Sequence, residues 1–308
     1  MKYLPGILLF VICQQGIAQL PDYYVDLVTG IATITRPGGK PVAAKQKQLV
    51  YKNDKVTLVK GAELTLVDRD AGFFVLNIPG TNTAGELIKK STRKTKDGIT
   101  GAYMKLLFHE LLDPNQDFER FKKENVAGVW GGVSRSDDCG NRILPMDGLK
   151  TSGNSITFKW RKTSRSSNYS FEIYDHDNKP VHKMNIKDTV IMVKIDEALH
   201  NGKGIYKWRI ISEDGGCEDE MPIYFEVLSR DNEQTLIEQI VSSVAGDNLE
   251  KKLQQLDKLE RNGLIDAASS RYALLVKAYP TDKALMKSYV AFLLKYGFDE
   301  EARSAWQH

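Results

Sequence analysis

The chain has 308 residues, with 43 Lys and Arg against 40 Asp and Glu, and is 42% hydrophobic. That length allows two or three domains of ordinary globular composition. A formal net charge of +3 gives no global pull toward nucleic acid.

The start reads as an export signal. Lys2 precedes the apolar run Leu4 to Cys13, and Gly16-Ile17-Ala18-Gln19 follows. A basic start, a short apolar core and a small-x-small exit are the marks of such a signal. The run is about half of what a bilayer span needs. The reading is a signal peptide over 1–18, cleaved after Ala18, and no membrane span in the exported chain. Cys13 follows Ile12 rather than a small residue, which argues against a lipid acceptor. Periplasmic and extracellular destinations both stay open.

Loss of the signal leaves Cys139 and Cys217. Two cysteines in an oxidising compartment are a disulfide candidate. The bond would tie the entry of the central domain to its last hairpin. Two other readings stay open: Cys139 as a nucleophile with His109 as base, and two independent thiols.

Residues 19–80 read as a β-rich domain. Ile31, Thr33 and Thr35 alternate with Ala32, Ile34 and Arg36, and Pro37-Gly-Gly39 turns the chain. Val56 and Leu58, then Leu64 and Leu66, then Phe73 and Val75 continue in short runs. The expected layout is a small antiparallel barrel or roll. Gly30 opening a strand, Leu49 ahead of Asn53-Asp54, Ala62 before a strand and the Asp70–Gly72 turn resemble a FecR-type domain. The usual Gly-Asp of that family is Asn53-Asp54 here. FecR proteins are membrane-spanning transducers with a cytoplasmic anti-sigma segment. Neither part is found in this sequence, so that role does not carry over.

Residues 81–135 read as a helical connector. Tyr103, Leu106, Leu107, Leu111 and Leu112 form a stripe at 3–4 spacing, and Asp113-Pro114 stops it. Phe118 and Phe121 mark a further short helix. These helices are expected to cover the barrel or pack on the central domain. Lys89, Lys90, Arg93, Lys94 and Lys96 form a basic run. It reads first as a solvated loop and second as a contact for anionic envelope polymers or lipid headgroups. The small apolar stretch Val126–Val133 reads as a buried connecting strand.

Residues 136–229 read as a β-sandwich. Ile156, Phe158 and Trp160 share one face, and Thr157, Lys159 and Arg161 the other. The period repeats at Tyr169–Ile173, Ile191–Ile195, Tyr206–Ile210 and Ile223–Val227. Turn residues at 175–178, 201–202 and 214–216 separate the runs. The run Ile205-Tyr-Lys-Trp-Arg-Ile210 resembles the late strand of fibronectin type III-like domains. Trp160 and Trp208 read as core.

Residues 230–308 read as helical. Gly263 and Ala268 recur thirty-four residues later as Gly297 and Ala302. With Tyr272 and Pro280, this resembles a pair of tetratricopeptide repeats over 249–308. The resemblance implies helical hairpins whose small residues let helices approach. Lys252 and Met286 replace the usual first-helix aromatic. With fewer than two full repeats, the long concave groove of larger arrays is not expected.

Chemistry is sparse. None of the five histidines has metal-ligand spacing, and no phosphate loop, dinucleotide fingerprint or nucleophile elbow occurs. Asp175-His-Asp177 and Asp68-Arg-Asp70 read as turn residues. The expectation is a multidomain α+β protein: an N-terminal β-barrel or roll with helices, an Ig/fibronectin-like sandwich and C-terminal helical hairpins. Its expected work is protein–protein interaction or scaffolding in a bacterial envelope, with another envelope protein as partner, no cofactor and no catalysis. The alternative is a carbohydrate- or cell-wall-polymer-binding module with Tyr174 or Tyr224 as contacts, and the third reading is an unrecognised hydrolase. The interaction reading expects an exposed apolar patch on the helical end.

Overall fold

The computed structural model describes residues 20–96, 98–130, 142–160, 168–195, 199, 204–212 and 222–307. The segment expected to be a signal peptide, Cys139 and Cys217 lie outside the described residues. The protein is mixed α+β, with several antiparallel sheets and, among the described residues, eight helices, most of them C-terminal. It divides into two compact units, Met1–Lys94 and Thr95–His308.

The first unit holds β1 (Tyr23–Thr29), β2 (Ala32–Thr35), β3 (Val42–Ala43), β4 (Leu49–Val50), β5 (Lys55–Leu58), β6 (Glu63–Asp68), β7 (Gly72–Leu76), β8 (Gly80–Thr83) and α1 (Ala84–Lys89). One sheet runs β4-β1-β6-β7, extended at the unit boundary by β9 (Lys94–Thr95). The other runs β3-β2-β5-β8. Of the expected barrel or roll, the barrel is corrected: the strands form two open sheets, and closure needs every strand paired on both sides. The chain changes sheets between β1 and β2 at Gly30. Its φ is +77°, and a Cβ there would stand 3.0 Å from the Ala62 Cα. Only glycine turns that corner without strain. Ala32, Ile34, Val56, Leu64 and Leu66 fill the core between the sheets.

A carboxyl group is buried in this unit. Asp54 is buried, and its Oδ2 accepts the Tyr51 N–H at 3.0 Å. Its Oδ1 has no hydrogen-bond partner among the described residues. The Asp54 carbonyl also receives the Ala84 N–H at 2.8 Å, at the start of α1. A capping box between Thr83 and Glu86 fixes that start.

The second unit begins with α2 (Gly98–Leu112) and α3 (Phe118–Trp130). The backbone of 126–130 is helical, so the strand expected at Val126–Val133 is corrected as far as residue 130. Asp117 starts α3, accepting the Arg120 N–H at 2.9 Å, and the helix then carries on through the small residues Ala127 and Gly128.

The sandwich follows. Its strands are β10 (Arg142–Leu144), β11 (Leu149–Thr151), β12 (Ser155–Trp160), β13 (Tyr169–Tyr174), β14 (Pro180–Ile186), β15 (Val190–Lys194), β16 (Gly204–Ser212) and β17 (Ile223–Val227). They form a three-stranded sheet, β10-β12-β15, and a five-stranded one, β11-β17-β16-β13-β14. All pairings are antiparallel except β11 with β17. The alternating residues of the sequence meet inside. Phe158 packs edge-on against Phe171, Trp208 and Phe225, with centroids 4.8, 5.2 and 5.6 Å apart. Trp160 and Trp208 are fully buried.

Five helices close the chain: α4 (Arg230–Ser242), α5 (Leu249–Arg261), α6 (Ile265–Ala278), α7 (Lys283–Lys295) and α8 (Asp299–Trp306). The thirty-four-residue offset reappears in the hydrogen bonds. Leu264 N–H returns to the Leu259 carbonyl at 3.0 Å, and Phe298 N–H to Leu293 at 2.9 Å. Gly263 and Gly297 sit at the αL positions that this helix-end motif favours, with φ of +78° and +71°. Ala268 and Ala302 are buried, and Pro280 is exposed in the turn before α7.

Among the described residues the main packing of α2 and α3 is not with the sandwich, one of the destinations the sequence led one to expect. They pack on the C-terminal helices, α2 against α5 and α7, and α3 against α7. The apolar stripe of α2 finds its partner some 150 residues away because the hairpins expose a matching apolar flank. Lys287 on α7 is buried and pairs with Glu110 on α2 at 2.5 Å. Tyr103 donates to Asp282 at 2.9 Å. Phe118 and Phe121 pack on Trp306, with centroids at 5.7 and 4.9 Å.

Candidate functional site

The tips of both helical hairpins meet the sandwich. Lys150 N–H donates to the Gly263 carbonyl at 2.9 Å, and Lys159 Nζ donates to the Gly297 carbonyl at 3.2 Å. Beside the first of these contacts a cleft of about 410 Å³ opens. Its walls are the β11–β12 turn, the first turn of α4 and the first turn of α6.

Each wall places polar groups. The turn supplies Thr151, Ser152 and Asn154; α4 supplies Arg230 and Glu233; α6 supplies Asp266 and Ser270, with Ile237 and Ala267 as apolar lining. The positions follow from local rules. Ser229 caps α4 by accepting the Asn232 N–H at 3.2 Å, which sets Arg230 and Glu233 in its first turn. The Gly263 turn sets Asp266 in the first turn of α6, which has no side-chain cap.

Polar pairs cross the cleft. Ser152 Oγ donates to Glu233, and Arg230 lies 3.5 Å from the Asn154 side-chain oxygen. Thr151 donates to Asp266. Asp266 is exposed by surface area, yet the crowded cleft strips part of its water. That desolvation raises its pKa, the charge of Glu233 raises it further, and the Thr151 bond lowers it. Both carboxylates accept hydrogen bonds, and both lie near a helix N-terminus, which favours negative charge.

The outer face of the five-stranded sheet is a second polar surface. Tyr174, Lys207 and Tyr224 lie directly opposite one another on three adjacent strands. The Tyr174 ring is not bare: Arg209 and Lys207 stand 5.0 and 5.4 Å from its centroid. Its hydroxyl bonds Glu172 and receives Arg209 at 2.6 Å. Glu172 is buried among these donors and also pairs with Lys183 at 2.7 Å.

The basic run is dispersed. Lys89, Lys90 and Lys94 are exposed, while Arg93 chelates Asp68 at 2.8 and 3.2 Å and Lys96 pairs with Glu250. The run crosses the division between the two units. His109 is exposed on α2. Asp175 organises its turn, accepting the N–H groups of Asp177 and Lys179 at 3.0 and 2.9 Å. Tyr272 is buried and bonds Ser288 at 2.5 Å. Among the described residues no group of three metal-ligating side chains occurs, and no helix is long and apolar enough to cross a membrane.

Large apolar side chains are exposed on the first unit, among them Leu27, Ile31 and Val42, and on the sandwich, and scarcely on the C-terminal helices. On the edge strand β15, Val190 is 47% and Met192 68% exposed. Both lie on the outer face, opposite Lys159 and Thr157 of β12. On the helical end, Leu274 is the one large apolar side chain exposed among the described residues of 230–307.

No protein-family profile matches this chain, and no curated protein matches it in sequence. A structure search returns PorZ, described as an essential bacterial surface component of the type-IX secretion system of human oral-microbiomic Porphyromonas gingivalis. The identity is 10% and the TM-score 0.22. The match covers 62% of this chain and 26% of that one, so this chain spans about a quarter of its length. A likeness at that TM-score carries neither fold nor function.

The cleft was not legible in the sequence. Thr151, Glu233 and Asp266 come from three distant segments and share no spacing. The local signals present were the Ser229 cap and the Gly263 turn.

Proposed function

We propose that this chain is an exported envelope protein that works by binding another protein, without catalysis of its own. The observation that carries the reading is the edge strand β15. It is the terminal strand of its sheet among the described residues, and its outer face offers Val190 and Met192 to solvent. Exposed apolar edge strands are pairing templates that proteins ordinarily blunt with charge or proline. Here Lys194 is the single charge in the strand. A strand supplied by a partner would gain main-chain hydrogen bonds along that edge and apolar contact on its face.

This moves the expected contact surface. The helical end, with Leu274 alone exposed, is mainly the support that holds α2, α3 and the sandwich together.

The test is in-cell cross-linking and recovery of the tagged full chain, comparing Val190→Lys/Met192→Lys with Leu274→Lys. A discrete partner should fall about tenfold with the first variant and stay with the second. Loss with Leu274→Lys alone would return the contact to the helices. No discrete partner with any form would sink the reading.

A further inference from the structure

We infer that the cleft between the β11–β12 turn and the first turns of α4 and α6 is a binding site for a neutral polyhydroxylated ligand, a glycan unit or glycan end. The inference is independent of the edge strand.

Ions fit the cleft poorly. Glu233 and Asp266 together repel an anion. Arg230 and the positive ends of two helices oppose a cation. A bound metal would need more acidic or imidazole ligands than this cleft brings together, and none of the described residues forms such a group.

A sugar hydroxyl fits better, because it donates and accepts at once. The cleft pairs donors with acceptors across a short span. Arg230 and Ser270 donate, Glu233 and Asp266 accept, and the Asn154 amide does both. The bonds already made leave most of this capacity unused. A carboxylate takes about four hydrogen bonds and a guanidinium gives five, whereas Arg230 makes one long contact among the described residues. Ile237 and Ala267 add apolar lining that suits the C–H face of a ring. The volume of about 410 Å³ lies within the range of roughly 300–1,000 Å³ for small-molecule sites. The walls are held by the hairpin-tip contact, so the site is formed before a ligand arrives.

Calorimetric titration of the full mature chain tests this. The neutral probes are cellobiose, N,N′-diacetylchitobiose and lactose; digalacturonate and calcium chloride serve as the charged arms. At least one neutral disaccharide should saturate at millimolar concentration or below. Ser270→Trp, which fills the cleft from an exposed helix position, should weaken it at least about tenfold without changing the melting temperature. Glu233→Gln should weaken it as well while keeping the Ser152 contact. Three results would overturn the inference: no neutral probe saturating, neutral binding indifferent to Ser270→Trp, or binding confined to digalacturonate or calcium.

Discussion

Gly148 and Gly263 touch at the seam between sandwich and helices. A Cβ on Gly263 would stand 1.9 Å from the Gly148 carbonyl oxygen, and Gly263 already holds φ at +78°. The helix end thus needs glycine twice, once for its backbone and once for its neighbour. Gly263→Ala should cost about 2–4 kcal/mol, combining backbone strain with overpacking against main chain. Gly61→Ala is the control. Its φ is +84° but nothing lies within 4 Å of the added Cβ, so about 1 kcal/mol is expected. Urea unfolding of the two variants gives the comparison.

Buried Lys287 and half-buried Glu110 form an ion pair that joins α7 to α2. Lys287→Met alone leaves the Glu110 charge with no partner in a dry place, at a cost of about 3–5 kcal/mol. The double variant Lys287→Met/Glu110→Leu should recover most of that loss. If the single variant is silent, the helices α2 and α7 are not held as described.

Glu172 should make the sandwich acid-sensitive. Burial pushes its pKa up, but hydrogen bonds from Lys183, Tyr174 and Arg209 prevail and hold it at about 2 against an ordinary 4.5. A carboxyl lowered by folding stabilises the protein above its unfolded pKa. That contribution is lost as pH falls from 4.5 toward 2. Solvent screens the exposed Lys183 and Arg209, so about 2 kcal/mol is at stake. Denaturation curves of Glu172→Gln should be flatter than those of the parent over that interval.

Asp54 has the opposite sign. Burial raises its pKa from 3.8, outweighing the Tyr51 hydrogen bond and the Arg36 charge that lower it. Between the ordinary value and the raised one, the unfolded chain gives up the proton first, so stability declines as pH rises. Asp54→Asn removes the titration. Relative to the parent, it should gain stability between pH 4 and pH 7, read from thermal melts at the two pH values.

Much of the fold was written in local patterns. Ile156-Phe158-Trp160 and Tyr206-Trp208-Ile210 alternate because each strand has one dry face, and that period survives in a single sequence. The Gly263/Gly297 offset was legible because both helix ends need a left-handed residue. What was hidden is long-range. β14 carries Pro180, His182, Lys183 and Asn185 on an edge and shows no apolar alternation to mark it as a strand. The destination of α2 depended on a partner face far along the chain. The two-sheet arrangement of the first unit turns on the Gly30–Ala62 contact, which no periodicity reports. The cleft escaped for the same reason: its side chains converge only after the sandwich docks on the hairpin tips.

The central claim is that partner contact falls on the β15 edge and not on the helical end. A photo-cross-linking residue placed at position 192, and separately at position 274, in the full chain expressed in cells tests it most directly. The account predicts a discrete cross-linked adduct from 192 and none from 274. An adduct from 274 with none from 192 would contradict it.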